Sequence, residues 1–172
     1  MAPTIDFAAL TLKDALDLAI LIEEEAEERY DELQHQVGGR YEGDASDVFR
    51  HMKTAEAKHG SQLRERRTKL FGDAPQSVSR EMIWEVEAPD YGKPRVYMSP
   101  LQAMQVAIES EKKAHAFFVE ALPHVKDADV RVLFEELRDE EVEHQHLLEA
   151  HMKGLPEGPD VQEDHADEPS AL

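Results

Sequence analysis

Two Glu-x-x-His pairs are the residues of this sequence best suited to chemistry. Glu56 and His59 form one pair, and Glu141 and His144 form the other. Residues three apart on a helix share a face, so each pair can bring a carboxylate oxygen and an imidazole nitrogen to the same metal ion. Such donors favour hard or borderline metals. The spacing therefore predicts a metal site built on helices.

Spacing alone also selects two further pairs, so helical phase has to separate the four. The pairs Glu32/His35 and Glu143/His146 lie in phase with charged residues and are assigned to solvated faces. The other two pairs continue apolar stripes and are expected to face a core. Those stripes are Phe49, Met52, Leu63 and Leu70 for the first pair, and Leu133 or Phe134, Leu137 and Leu148 for the second.

The same phase test selects one inward glutamate on each of two further helical segments. Glu23 is chosen from the run of three glutamates at positions 23–25, and Glu111 is preferred over Glu109. The stripes that select them are Leu16, Ala19, Ala26, Tyr30, Leu33 and Val37, and Met104, Ala107, Ile108, Ala114, Phe118 and Leu122. Each of four predicted helices thus carries an inward acid near its middle.

Four ionised carboxylates in an apolar core would be strongly destabilising without compensation. Two divalent cations would cancel their charge and leave two neutral imidazoles as nitrogen donors. The sequence therefore predicts a two-metal site with six ligands, which are Glu23, Glu56, His59, Glu111, Glu141 and His144.

Two residues are expected near this site without being ligands. Tyr30 lies seven residues after Glu23 on the same face, so its hydroxyl could bond a ligand carboxylate. The alternative is a core tyrosine with its hydroxyl at the surface. His115 lies one turn past Glu111 and could border the site, or could be an interfacial histidine.

Capping signals place the four helices that must position these side chains. The sharpest start is Ser99-Pro100 followed by Gln102, which matches a capping box. The predicted helices run from Thr11 to Gly38-Gly39, from Asp44–Ser46 to Gly72, from Ser99 to about Leu122, and from Asp127 or Asp129 to Lys153. Residues 1–154 are expected to form one domain, and residues 155–172 an acidic, disordered tail.

The connections between these helices differ in length, which predicts the topology. The first and last are short and make antiparallel neighbours, whereas the middle one spans about 26 residues from Gly72 to Met98. That length can return the chain along the bundle, so we predict an all-α, ferritin-like four-helix bundle with one long crossover. Apolar crossover residues are expected to pack along the bundle, partly as strand: Ile83, Trp84, Val86, Val96 and Tyr97. Residues 19–30 and 107–118 are alike, which suggests a twofold internal repeat.

Composition excludes several classes of function. A formal charge of −19 argues against nucleic-acid binding, and the basic run Arg64, Arg66 and Arg67 is assigned to a solvated helix face. The chain has no cysteine and hence no thiolate metal centre, so any electrons must come from an external donor. No apolar stretch approaches a membrane span, and no secretory signal is present. A soluble, cytoplasmic protein is expected.

The residues resemble the rubrerythrin-like branch of the ferritin-like superfamily, called erythrins when the rubredoxin domain is absent. The resemblance covers about residues 10–153 and rests on four motifs: Glu23 with Tyr30, residues 56–60, residues 108–111 and residues 140–144. It implies a carboxylate-bridged di-iron centre that reacts with hydrogen peroxide or dioxygen, protects against oxidative stress, and belongs to a homodimer or larger homo-oligomer. Rubrerythrins typically carry another glutamate one turn after the third-helix ligand, where this chain has Ala114.

These observations predict a non-haem di-iron oxidoreductase that reduces peroxide or dioxygen and oxidises ferrous iron. In this hypothesis Glu56 and Glu141 bridge the two irons, and Glu23 and Glu111 are terminal ligands. Manganese or zinc could occupy the same ligands. Two alternatives stay open at this stage: a ferroxidase or iron-storage protein, and a metal-free helical adaptor.

Overall fold

Four long helices make up most of the computed structural model, which describes residues 5–83, 86–89 and 98–155. They are α1 (Leu12–Val37), α2 (Ala45–Phe71), α3 (Pro100–Ala121) and α4 (Ala128–Met152). Short 3₁₀ turns lie at Arg80–Met82 and Leu122–His124, and the described ranges contain no strand. The predicted all-α bundle is confirmed. None of these helices has an apolar stretch long enough to cross a membrane.

Side-chain caps start the helices where the sequence predicts them. The Thr11 hydroxyl accepts from the amide of Asp14, and Ser99 forms the expected capping box with Gln102. Asp127, rather than Asp129, caps α4 by accepting from two backbone amides. The helices therefore begin at residues fixed by local chemistry, which sets the phase of every inward side chain that follows.

Within the described residues, two separate apolar clusters form the core, one toward each end of the bundle. The first combines the start of α1, the end of α2, the end of α3 and the start of α4, and includes Leu16, Leu63, Phe118 and Phe134. The second combines the opposite halves of these helices, and includes Leu33, Phe49, Ala107 and Leu148. Because α2 ends at the first cluster and α3 begins at the second, these two helices run parallel. The predicted long crossover is the connection that makes this possible.

The described part of the crossover follows the bundle from one cluster to the other. Ile83 is buried in the first cluster and Val86 packs against it, whereas Met98 packs against the second. The strand expected there does not occur in the described crossover residues, which form a 3₁₀ turn and irregular backbone. The predicted packing of Trp84, Val96 and Tyr97, and the predicted tail beyond Leu155, lie outside the described residues.

An ion pair between α1 and the end of α2 anchors the start of the crossover. Arg67 Nε lies 2.7 Å from Oδ1 of Asp17, and the two side chains are 11% and 5% exposed. The Arg67 guanidinium also donates to the carbonyls of Gly72 and Ala74, at the point where the chain leaves α2. The assignment of Arg67 to a solvated face is therefore wrong. Its long side chain reaches a buried partner on α1 that helical phase within α2 does not disclose.

We expect Arg67→Ala to lower the Tm by roughly 5 °C, because it leaves the buried Asp17 carboxylate with a weaker set of partners. Arg66→Ala is the matched control, since Arg66 pairs with Glu136 across two side chains that are 40% and 48% exposed. That control should lower the Tm by less than about 2 °C. Equal losses in thermal unfolding of the two variants would contradict the anchoring role.

Candidate metal centre

The four helices bring all six predicted ligands to the level between the two apolar clusters. Glu23, for example, follows Ile22 of the first cluster and precedes Ala26 of the second. The four carboxylates are almost fully buried, with exposures of 5% for Glu23, 1% for Glu56, 0% for Glu111 and 3% for Glu141. The core is thus interrupted by a polar layer that contributes one acid from each helix.

Glu23, Glu56 and His59 form the first donor set, between α1 and α2. The Nδ1 atom of His59 lies 3.9 Å from Oε2 of Glu23 and 3.7 Å from Oε2 of Glu56. Two donors that each bind an ion at about 2.1 Å can be no more than about 4.2 Å apart. The observed separations therefore leave space for one metal ion among the three side chains.

Glu111, Glu141 and His144 form the second donor set, between α3 and α4. The Nδ1 atom of His144 lies 3.0 Å from Oε2 of Glu111, within hydrogen-bonding distance, and 3.8 Å from Oε2 of Glu141. The donor atoms of each set lie within 4.8 Å of one another. Each helical hairpin therefore contributes a Glu-Glu-His set, as the internal repeat suggests.

The two histidines bring the sets together. The imidazoles of His59 and His144 stack with their ring centroids 4.6 Å apart and their planes 3° from parallel. Both side chains are 20% exposed, so this edge of the polar layer is nearer to solvent than the carboxylates are. The stack is a contact between α2 and α4 at the level of the site.

Several carboxylate oxygens in this layer are buried without a hydrogen-bond partner among the described residues. They are Oε2 of Glu23, both oxygens of Glu56, Oε1 of Glu111 and Oε2 of Glu141. A buried polar atom without a partner is destabilising, and an unpaired buried charge is more so. The donor chemistry and the unpartnered oxygens fit a pair of cations held by these six side chains.

The pKa values of the site reflect this crowding of acids. Burial raises the pKa of Glu23 and Glu141 well above the ordinary carboxyl value, and the charges of Glu56 and Glu111, respectively, raise it further. Burial also raises the pKa of Glu111, partly offset by the hydrogen bond from His144. For His144, burial lowers the pKa, but the contact with Glu111 outweighs it and the pKa is raised.

Most of the residues that the phase test rejected are exposed. Glu32, His35, Glu143 and His146 are all exposed, and so is Glu109. Helical phase therefore separated the two inward Glu-x-x-His pairs from the two exposed ones correctly. Glu25, which the same test rejected in favour of Glu23, is nevertheless buried, with 8% exposure.

The two residues expected beside the site differ in their positions. Tyr30 is fully buried, which rules out a hydroxyl at the surface, and it stacks on Phe49. Its hydroxyl makes no hydrogen bond to a site carboxylate in the described structure, although burial and then the charges of Glu111 and Glu56 raise its pKa. His115 is half-buried and belongs to none of the donor groups found among the described residues.

Sequence reasoning missed one acid, Glu87 of the crossover. Its side chain is 1% exposed, and it forms a third group of close oxygens with Glu56 and Glu111. Burial, followed by repulsion from Glu56, raises its pKa well above the ordinary value. The only available signal was its position between Val86 and the Ala88-Pro89 dipeptide, because irregular backbone has no period from which to deduce an inward face.

An open groove leads from the surface to the histidine side of the site. It has a volume of about 510 Å³, lies between α2, the first turn of α3 and α4, and is mostly apolar. Met52, Met104 and Leu148 line it, and its inner end reaches Glu56 and His144. A small molecule can therefore approach the polar layer from this side without passing through the packed clusters.

The metal-free protein should become less stable as the pH rises. A carboxyl with a raised pKa binds protons more strongly in the folded chain than in the unfolded one, so the free energy of unfolding falls as the pH rises above about 4.5. We expect a higher Tm at about pH 6 than at about pH 8 for the metal-free chain. Glu23→Gln should reduce this dependence, whereas the exposed control Glu32→Gln should leave it unchanged. A Tm that rises over this range would contradict the buried, raised-pKa assignment.

Comparison with known proteins places the chain in a family. A rubrerythrin family model matches residues 14–152. A solved structure of an uncharacterized conserved protein from Magnetospirillum magnetotacticum MS-1 is similar, with a TM-score of 0.65 and 29% identity over 87% of this chain and 98% of that chain. The search of curated proteins found no match.

Two more distant solved structures share the fold. A hypothetical protein from Pyrococcus furiosus has a TM-score of 0.53 and 21% identity, over 84% of this chain and 89% of that one. The bacterioferritin-related protein of Bacteroides fragilis, described as a dodecameric thioferritin, has a TM-score of 0.51 and 20% identity, over 83% and 84%. Together with the match over residues 14–152, the fold and the paired Glu-Glu-His sets lead to one conclusion: this chain belongs to the rubrerythrin family.

Proposed function

We propose that this protein is a non-haem di-iron oxidoreductase that oxidises ferrous iron and reduces hydrogen peroxide or dioxygen. One observation carries the proposal: two Glu-Glu-His donor sets adjoin in the core, and their buried oxygens have no hydrogen-bond partners among the described residues. Two cations would both satisfy these oxygens and cancel the charge of four carboxylates. Iron is the proposed metal, and manganese or zinc could use the same donors.

Glu23, Glu56 and His59 would hold one iron, and Glu111, Glu141 and His144 the other. Glu56 and Glu141 are proposed as bridging ligands, with Glu23 and Glu111 as terminal ones. The position of Glu56 supports its proposed bridging role, because its oxygens are close to donor atoms of both sets. When bound, the ferrous pair supplies the two electrons that, with two protons, convert one hydrogen peroxide molecule into two waters.

The chain's own residues would control access and protons at this site. The apolar clusters exclude water from both ends of the polar layer, and the groove beside Met52 and Leu148 would admit the oxidant. The proton shared between Nδ1 of His144 and Oε2 of Glu111 must leave this contact when both atoms act as metal ligands. Because the chain has no cysteine, an external donor or fresh ferrous iron would return electrons to the site. A cytoplasmic location and a homodimeric or larger assembly are further predictions of this proposal.

The proposal predicts about two ferrous ions bound per chain in an anaerobic titration, and two oxidised per hydrogen peroxide in stopped-flow measurements. Changing both Glu56 and Glu141 to Ala should abolish this stoichiometry and slow oxidation by about 100-fold or more, because each donor set loses a ligand. The matched control changes Glu32 and Glu143 to Ala, which removes the acids of the two exposed Glu-x-x-His pairs. The control should behave as the unmodified protein.

The same experiment separates the two alternatives. A ferroxidase that stores iron would take up many more than two irons per chain and form large particles in light scattering. A metal-free adaptor would bind no metal after purification, and the double change of Glu56 and Glu141 would alter neither metal content nor stability in the presence of iron. Either result would overturn the proposed function.

A further inference from the structure

Among the described residues, Glu87 is the one buried carboxylate of the polar layer that does not come from a bundle helix. One of its oxygens lies within 4.8 Å of an oxygen of Glu56 and of an oxygen of Glu111. Glu56 belongs to the first donor set and Glu111 to the second, so Glu87 lies between the sets. Its Oε2 atom is buried and has no hydrogen-bond partner within the described part of the chain.

The crossover is held firmly on both sides of this residue. Arg29 of α1, only 3% exposed, donates from Nη1 to the carbonyl of Pro89 at 2.6 Å. Lys113 of α3 donates from Nζ to the carbonyl of Ala88 at 2.7 Å. On the other side, Val86 packs against the first cluster. These contacts hold residues 86–89 against α1 and α3. This side of the bundle lies opposite the stacked histidines and the inner end of the groove.

Building on the proposed di-iron centre, we propose that Glu87 is a fifth carboxylate ligand of the metal pair, placed by the crossover between the two donor sets. The Glu87 carboxylate lies close to the acids Glu56 and Glu111 and is repelled by both. Metal cations would neutralise these charges and could be bound by all three carboxylates. On α3 itself, the position one turn after Glu111 is the buried Ala114, which has no donor atom. The additional carboxylate of this site comes instead from irregular backbone.

As a ligand, Glu87 would change the reduction potential of the metal pair. An added negative charge stabilises the ferric state more than the ferrous state, because the ferric ions carry the larger charge and the site is buried. Glu87 should therefore lower the reduction potential of the iron pair. Replacing it with the neutral, nearly isosteric glutamine should raise that potential.

The test compares Glu87→Gln with Glu81→Gln in the full chain. Glu81 is the matched control because it lies in the same crossover and is exposed. Metal-free protein is titrated anaerobically with ferrous and then with manganous ions by calorimetry. The unmodified chain and the control should bind two ions, whereas Glu87→Gln should bind at least one of them about tenfold more weakly or worse. Its reduction potential in a redox titration of the iron-loaded protein should be higher.

The metal-free Tm separates loss of a ligand from loss of the fold. The Glu87 carboxyl is buried and its Oε2 has no hydrogen-bond partner among the described residues, so metal-free Glu87→Gln should have an unchanged or higher Tm. If that variant does not fold, Glu87→Asp, which keeps the charge on a shorter side chain, should fold and bind metal with intermediate affinity. Two ions bound by the unmodified chain, with affinity and potential unchanged in the folded Glu87 variant, would overturn this assignment and leave the di-iron proposal standing. No metal bound by the unmodified chain would overturn both.

Discussion

The burial of carboxylates in the middle of a helical bundle is the constraint on which the rest of this structure depends. Removing one charge from water costs several kcal/mol even after a protein relaxes around it, and a whole domain is stable by only about 5–15 kcal/mol. Glu23, Glu56, Glu87, Glu111 and Glu141 are each at most 5% exposed. Such a layer is tolerated only if protons or cations neutralise it. The facing imidazoles, and the oxygens that have no hydrogen-bond partner among the described residues, favour cations.

The division of the core into two clusters follows from that constraint. Each helix carries apolar residues on both sides of its inward acid, so packing on either side of the polar layer supports the fold independently of what the layer binds. The topology then determines what covers the remaining side of the polar layer. Because α2 and α3 run parallel, the crossover has to travel past the layer, and Arg29 and Lys113 hold it against the bundle at that level.

The helices and the six clustered side chains could be predicted because both depend on local patterns. Caps such as Thr11 and Ser99 can be recognised from the cap and the next three residues. The inward phase of Glu56 or Glu141 can be deduced from the apolar pattern of its own helix. Glu87 and Arg67 could not be predicted in this way. Glu87 lies on irregular backbone, and the partner of Arg67 is Asp17, which is 50 residues away on another helix. Their positions depend on how the elements pack together, which single-sequence periodicity does not contain.

The two sides of the polar layer differ, and that difference gives the site a direction. On the α1 and α3 side, the crossover covers the carboxylates and adds Glu87. On the α2 and α4 side, the partly exposed His59 and His144 stack beside the inner end of the groove. A reactant arriving through the groove therefore reaches Glu56 and His144, one residue from each donor set, on the side away from the crossover. A reactant would therefore approach such a centre from the histidine side, and Glu87 would contact the centre from the opposite side, where the crossover lies.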